Sequence, residues 1–301
     1  MYRSPVALRH SKIHDASDPL LGKALRVLVV GFVIALWCGT ANAYVLPGRA
    51  VLGRYLQRFG PEERLLIRQK AHIRVKTQGQ DAIAVDETVR YRFPGVFRSD
   101  TKGGAVERVH LQVDGESLTL IDGKVDPMPR DRFDRYKDLL LHRDPDQLER
   151  VLSHYGVHSD ICSLGRFQGS VVYVIGAQYP DETTAQLVID KENFWPTRWI
   201  LDKGSDPLTR ERLEIRYGNW SLVGTAWYPW QVEFYQNGEL VKTIEVEKLE
   251  VNPPLPKALF EMDRLRSMQE PMERNKPSLE NKDSEPDEIQ KTIEKFKKIY
   301  N

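Results

Sequence analysis

The chain has 301 residues, with 44 Lys and Arg against 43 Asp and Glu, and a mean hydropathy of −0.49. That balance excludes the basic face expected of a nucleic-acid binder. The length suits one large domain or two small ones, with enough chain to bury a core without disulfide staples.

The first 43 residues read as a secretory signal. Arg3, Arg9, Lys12, Lys23 and Arg26 precede an apolar run from Val27 to Trp37, and Ala41-Asn42-Ala43 forms an A-x-A cleavage site. The run is shorter than the roughly 20 residues of a spanning helix. Cleavage after Ala43 is expected to deliver a periplasmic protein starting at Tyr44; an uncleaved anchor is the alternative. Cys38 lies in a poor lipidation context, with Ala35 three residues before it and Trp37 just before. The mature chain then carries 39 basic and 41 acidic residues and a single cysteine, Cys162, read as a small buried hydrophobe.

Gly48 to Gly60 follows as an amphipathic helix, with Val51, Leu52, Tyr55, Leu56 and Phe59 on one face and Gly60-Pro61 as its stop. The period then changes to two. Ile73/Val75/Thr77, Ile83/Val85, Val89/Tyr91/Phe93, Val109/Leu111/Val113 and Leu118/Leu120 alternate, with turns at Asp114-Gly115 and Asp122-Gly123. Residues 129–156 interrupt this meander with helix. Phe133, Tyr136, Leu139 and Leu140 share one face, and Leu148, Val151, Leu152 and Tyr155 another. Strands resume near Cys162 and continue through Val171/Tyr173/Ile175, 184–190, 195–202, Leu213/Ile215/Tyr217 and Trp230/Val232/Phe234. The Asn237-Gly238 turn leads to Ile244/Val246. A parity change at Leu249/Val251 implies a bulge. The sum is about ten antiparallel strands and two helical regions, mostly β, with no βαβ rhythm. Residues 266–301 form a charged linker and then an amphipathic helix carrying Ile289, Ile293, Phe296 and Tyr300, which either docks on its own domain or holds a partner.

Sequence motifs for catalysis are sparse. His154, His158 and Cys162 are spaced by four, as helical metal ligands would be, but Gly156 breaks the helix between them. We therefore expect no metal, no cofactor and no enzyme. A carboxylate pair dispersed in sequence leaves a periplasmic hydrolase as the least favoured reading. Asn219-Trp220-Ser221 matches a glycosylation sequon, a pattern short enough to arise by chance. The strands are rich in aromatic residues. These form either an ordinary sheet core or a concave face left open for a hydrophobic ligand.

The run Leu187-Val188-Ile189-Asp190 with Pro196-Thr197-Arg198 resembles a strand–turn–strand signature of the LolA/LolB-like lipoprotein-carrier superfamily. So does the ending Tyr228-Pro229, Asn237-Gly238, Asn252-Pro253-Pro254-Leu255 and Leu259-Phe260-Glu261, and so does the opening helix. The resemblance implies an incomplete antiparallel β-barrel over residues 44–265, with a hydrophobic concavity and a helical lid. It implies a non-enzymatic periplasmic carrier that binds the acyl chains of a lipoprotein or another lipid and moves them toward the outer membrane. An RseB-like envelope sensor, or an assembly adaptor using its C-terminal helix to hold an envelope protein, is the alternative. By strand parity, the expected cavity lining is Val89, Tyr91, Phe93, Val109, Leu111, Val113, Tyr173, Ile175, Trp230, Val232 and Phe234. The expected lid residues are Phe133, Leu139, Leu140, Leu148 and Leu152.

Overall fold

A computed structural model describes residues 45–74, 82–104, 106–126, 132–203 and 211–267. The expected signal, the C-terminal helix and the strand positions Val75 and Thr77 lie outside these residues. Helix α1 (Gly48–Leu56) leads into β1 (Arg64–Ile73), β2 (Ile83–Arg92), β3 (Val96–Gly103), β4 (Val106–Val113), β5 (Glu116–Ile121) and β6 (Lys124–Val125). Helices α2 (Tyr136–Leu141) and α3 (Pro145–His154) follow. The chain returns through β7 (Cys162–Phe167), β8 (Ser170–Ile175), β9 (Gln186–Asp190), β10 (Pro196–Lys203), β11 (Glu211–Val223), β12 (Ala226–Gln236) and β13 (Glu239–Val251). A 3-10 turn (Lys257–Phe260) and α4 (Met262–Ser267) close the described chain.

All thirteen strands belong to one sheet in the order β6-β5-β4-β3-β2-β1-β13-β12-β11-β10-β9-β8-β7. Every neighbouring pair is antiparallel. Two meanders thus run outward from the central β1–β13 pair, and the sheet remains unclosed, with β6 and β7 at its edges. The insert α2–α3 connects these edges. A chain leaving one edge and rejoining the other must cross the sheet, and this one crosses the concave face. There it shares a single apolar core with α1 and the inward strand residues.

Local signals explain the insert. Asp144 caps α3 by accepting a 3.0 Å hydrogen bond from the Gln147 amide, and Pro145 occupies the first turn where its missing N–H is harmless. The stop at Gly60 is also a packing requirement: a Cβ there would lie 2.3 Å from the Thr225 carbonyl oxygen.

Several sequence expectations shift in detail. Strand β1 begins at Arg64, well before Ile73; the alternation is hidden because its inward row Leu65, Ile67, Gln69, Ala71 and Ile73 contains a glutamine and its outward row contains Leu66. Strand β3 was not expected; its inward row Phe97, Ser99 and Thr101 is mostly polar. The expected bulge is found where β1–β13 pairing slips between Arg68 and Gln69, leaving Glu247 extra on β13.

The convex face has two smaller apolar patches. One joins Val172, Val174, Ala177 and Val188. In the other, Phe260 and its C-terminal neighbours pack on Val96 and Leu111. The second patch is fastened by Arg98, whose Nη1 donates to the Leu259 carbonyl at 2.6 Å, and by Arg92 stacked 5.1 Å from the Phe260 ring.

Candidate functional site

The hollow of the sheet is the natural place for a site, and it is occupied by the chain's own side chains. Phe133, Tyr136, Leu139, Leu140 and Leu141 point into it, as do Leu148 and Leu152 from α3, and all are buried. They meet Trp199, Ile215, Val232 and Phe234 from β10–β12 and Leu65, Ile67, Val89 and Tyr91 from β1–β2. Phe234 receives the edges of both Phe133 (5.5 Å) and Tyr136 (6.0 Å). The five expected lid residues therefore all stand in this interface.

Three polar fasteners hold the insert down. Tyr55 of α1 donates its hydroxyl proton to the Leu139 carbonyl at 2.7 Å, and Tyr217 of β11 donates to the Tyr136 carbonyl at 3.2 Å. A six-residue helix cannot pair its last carbonyls internally, so the Tyr55 hydroxyl meets a real need. Burial pushes the titration of both hydroxyls upward, keeping them protonated donors. The third fastener is Arg143, just after α2. Its guanidinium lies between the Phe59 ring (3.5 Å) and the Phe93 ring (4.1 Å) and pairs with the fully buried Glu62 at 3.2 Å. Burial lowers the Arg143 pKa, and Glu62 opposes that shift.

Of the expected lining, Val89, Tyr91, Tyr173, Ile175, Val232 and Phe234 belong to the concave core. Trp230 packs against this core while half-buried. Phe93 lies beyond the end of β2, stacks on Tyr91 at 5.5 Å, and serves the Arg143 clasp. The β4 set requires correction. Leu111 and Val113 belong to the convex patch under the C-terminal segment, and Val109 shares their parity. The inward row of β4 is Val106, Arg108 and His110, whose cross-strand partners are Gly103, Thr101 and Ser99. Strand parity was sound as a rule here. The apolar row was simply not the inner one, because the C-terminal segment covers the outer face.

That exchange reveals what sequence reasoning missed, a buried polar half of the hollow. Gln69, Glu87, Ser99, Thr101, Arg108, His110 and Thr119 are all buried on the inner side of β1–β5. Glu87 accepts from Gln69 Nε2 at 2.8 Å and from the Ser99 hydroxyl. Gln69 Nε2 also reaches the Tyr136 hydroxyl at 3.2 Å. His110 Nδ1 pairs with Thr119 Oγ1 at 2.8 Å. Arg108 grips the carboxylate of Asp134, in the turn before α2, with both side chains 2% exposed. Burial alone would raise the Asp134 pKa, but Arg108, His110 and Lys137 outweigh it and hold the carboxyl well below its usual range. Burial pushes His110 down to about 3, so its ring is neutral near pH 7. The only signal in the sequence is the placement of Arg108 and His110 between the apolar residues of β4.

Cys162 lies half-buried on β7, and burial pushes its thiol up to about 11, as suits a small hydrophobe. Among the described residues no three His, Cys, Asp or Glu side chains stand together as metal ligands, and no helix is long and apolar enough to cross a membrane.

Fold and site together define an open antiparallel half-barrel whose hollow is filled by an insert strung between its two edge strands. Solved structures share this architecture. A LolA superfamily protein from Nitrosomonas europaea aligns over 72% of this chain and 99% of its own, with a TM-score of 0.51 at 10% identity. A DUF1329 family protein from Desulfovibrio piger aligns over 72% and 97%, with a TM-score of 0.51 at 11% identity. No protein-family model and no curated protein matches the chain. The likeness is one of fold: this chain has the LolA-like fold.

Proposed function

We propose that this protein is a non-enzymatic periplasmic carrier. It takes the acyl chains of a lipoprotein or another lipid into the space its helical insert occupies and moves them toward the outer membrane. The observation that carries the reading is the insert itself: a mostly apolar plug, fastened by a few polar contacts, over a concave sheet. Magnitudes make the exchange reasonable. Burying a side chain such as Leu or Phe is worth about 1.5–3 kcal/mol, so the six residues Phe133, Leu139, Leu140, Leu141, Leu148 and Leu152 contribute roughly 9–18 kcal/mol of docking. An acyl chain of sixteen carbons offers about 12 kcal/mol. A lipid with two or three chains can therefore replace the plug, whereas one chain barely matches it. The expected signal peptide supplies the compartment. The cleft at Asp146, Glu149, Arg150 and His158 is lined mainly by charged and hydroxyl-bearing residues.

Native mass spectrometry of protein purified from a bacterial envelope tests the reading. Co-purifying two-chain lipid, and uptake of a fluorescent diacyl lipid by the emptied protein, are expected. Clean protein that takes up no two-chain lipid would overturn it. The envelope sensor or adaptor reading predicts instead a protein partner that is lost when residues 267–301 are deleted while lipid binding stays intact.

A further inference from the structure

The apolar wall of the hollow carries a hydrogen-bond donor that nothing accepts. Trp199, midway along β10, is fully buried in the concave core. Its cross-strand neighbours, Leu187 of β9 and Ile215 of β11, are fully buried as well. The Trp199 indole Nε1 has no hydrogen-bond partner among the described residues. The Tyr155 ring, just after α3, lies 5.4 Å away at a steep angle, and a ring face is only a weak acceptor. Other aromatic polar atoms of the hollow are provided for. Tyr55 and Tyr217 donate to carbonyls of the insert, and the Tyr91 and Tyr228 hydroxyls meet at 3.4 Å. Trp220 Nε1 donates to the Pro196 carbonyl at 3.0 Å. Trp230 Nε1 also lacks a partner among the described residues, but that residue is half-buried. At position 199 a buried indole without an acceptor costs free energy that a phenyl ring in its place would not.

We propose that Trp199 is a specificity-determining residue of the carrier: as the insert yields to acyl chains, the Trp199 Nε1–H donates to the ester or amide carbonyl at the head of one chain. This inference rests on the carrier reading above and adds to it the point at which the chain is held. Tyr155 follows α3, so displacement of the insert uncovers the indole. An indole N–H donates and cannot accept, so the ligand must bring the acceptor. Between side chains such as Leu187 and Ile215, a charged acceptor would carry a large desolvation penalty, whereas a carbonyl carries a small one. An acyl chain has a neutral acceptor in the carbonyl that joins it to glycerol or to an amine. The closed protein thus holds its donor unsatisfied, and a ligand with a carbonyl at this depth gains a hydrogen bond that the closed state lacks. A ligand of equal hydrocarbon content without the carbonyl gains only the burial.

The test compares ester-linked dioleoylglycerol with its ether-linked analogue, which has chains of the same length and no carbonyl, on the full mature chain. Affinity is read by competition with a fluorescent diacyl lipid. The wild type should bind the ester about fivefold more tightly, as one neutral hydrogen bond allows. Replacement of Trp199 by benzothienylalanine exchanges the N–H for sulfur and keeps the ring shape, so it should bring the two lipids to equal affinity. Its urea unfolding midpoint should equal or exceed that of the wild type, because a donor without an acceptor has been removed. Trp199→Phe should abolish the preference too; if the smaller ring unfolds the protein, the isosteric variant decides alone. Equal affinities or an ether preference in the wild type would overturn the role of Trp199, and so would an ester preference that survives in the isosteric variant. A lowered midpoint or failure to fold in that variant would show that the N–H is already bonded in the closed state and would overturn it as well. Binding of neither lipid to the wild type would overturn the carrier reading itself.

Discussion

The two halves of the concave sheet solve the same problem differently. Strands β8–β12 meet the insert with hydrocarbon and aromatic rings, Leu187, Trp199, Ile215, Val232 and Phe234 among them. Strands β1–β5 add to their own apolar residues, Leu65, Ile67, Val89 and Tyr91 among them, a set of hydrogen bonds and ion pairs around Glu87, Arg108 and His110. Apolar contact is non-directional and tolerates sliding or replacement by another apolar body. A buried ion pair is worth little net, yet removing one partner is expensive, which makes it a register mark. The apolar half supplies adhesion, and the polar contacts fix the register in which the insert sits.

Experiments can sharpen or break this contrast. The largest expected effect is in the apolar half. Trp199→Ala, at a fully buried position, should lower unfolding stability by about 4 kcal/mol in urea titration, through lost contact and the cavity left behind. A loss below ~1 kcal/mol would mean that this half is loosely packed. Next is the clasp. Arg143→Ala strands the buried Glu62 and should cost about 3 kcal/mol, with faster hydrogen exchange in α2 and α3 than in the sheet. Uniform acceleration across the molecule would deny the insert its separate status.

Acid should act through the polar half. An unfolded histidine titrates near 6.5, whereas folded His110 is pushed down to about 3. Between those values the unfolded chain binds a proton that the folded chain refuses. The contribution is therefore complete above pH 6.5 and is lost as pH falls toward 3. From pH 6.5 to 5 the loss should be on the order of 2 kcal/mol, and His110→Asn should flatten that slope. Asp134, held low by Arg108, adds a further loss only as pH drops below about 4, where the unfolded carboxyl protonates. A slope unchanged in His110→Asn would place the titrating group elsewhere. Smaller again, Tyr55→Phe removes one hydrogen bond to Leu139 and should cost ~1 kcal/mol. Arg49→Ala breaks the exposed pairs with Asp146 and Glu149 and should leave stability unchanged, since such pairs contribute little in water.

Much of this arrangement was legible from the chain. The switch from a 3.6 period in α1 to a period of two, and the glycine turns at 115, 123 and 238, all marked elements that the structure contains. The helical interruption between the two runs of strands was equally visible, and it contains α2 and α3. Leu139, Leu140, Leu148 and Leu152 were identified as insert residues because a helix repeats its buried face locally. The β4 row was misassigned for an instructive reason. Val109, Leu111 and Val113 form a clean apolar alternation, yet Leu111 and Val113 face the convex side under the Phe260 segment, about 150 residues away in sequence. The burial of Arg108 and His110 could not be read from the chain, because a buried ion pair and an exposed charge look alike in sequence until the partner is seen.

The sequence by itself determined the elements: local periodicity and turn chemistry dictate helix or strand, and the alternating rows of β2, β8 and β12 dictate which side chains travel together. Only the tertiary structure decided which row faces inward on β4. That depends on which distant segment covers each face, and no local pattern encodes it. The same holds for the pairing of Arg108 with Asp134 and of Arg143 with Glu62. These residues are far apart along the chain, and they meet because the insert must cross the concave face to travel from one open edge of the sheet to the other.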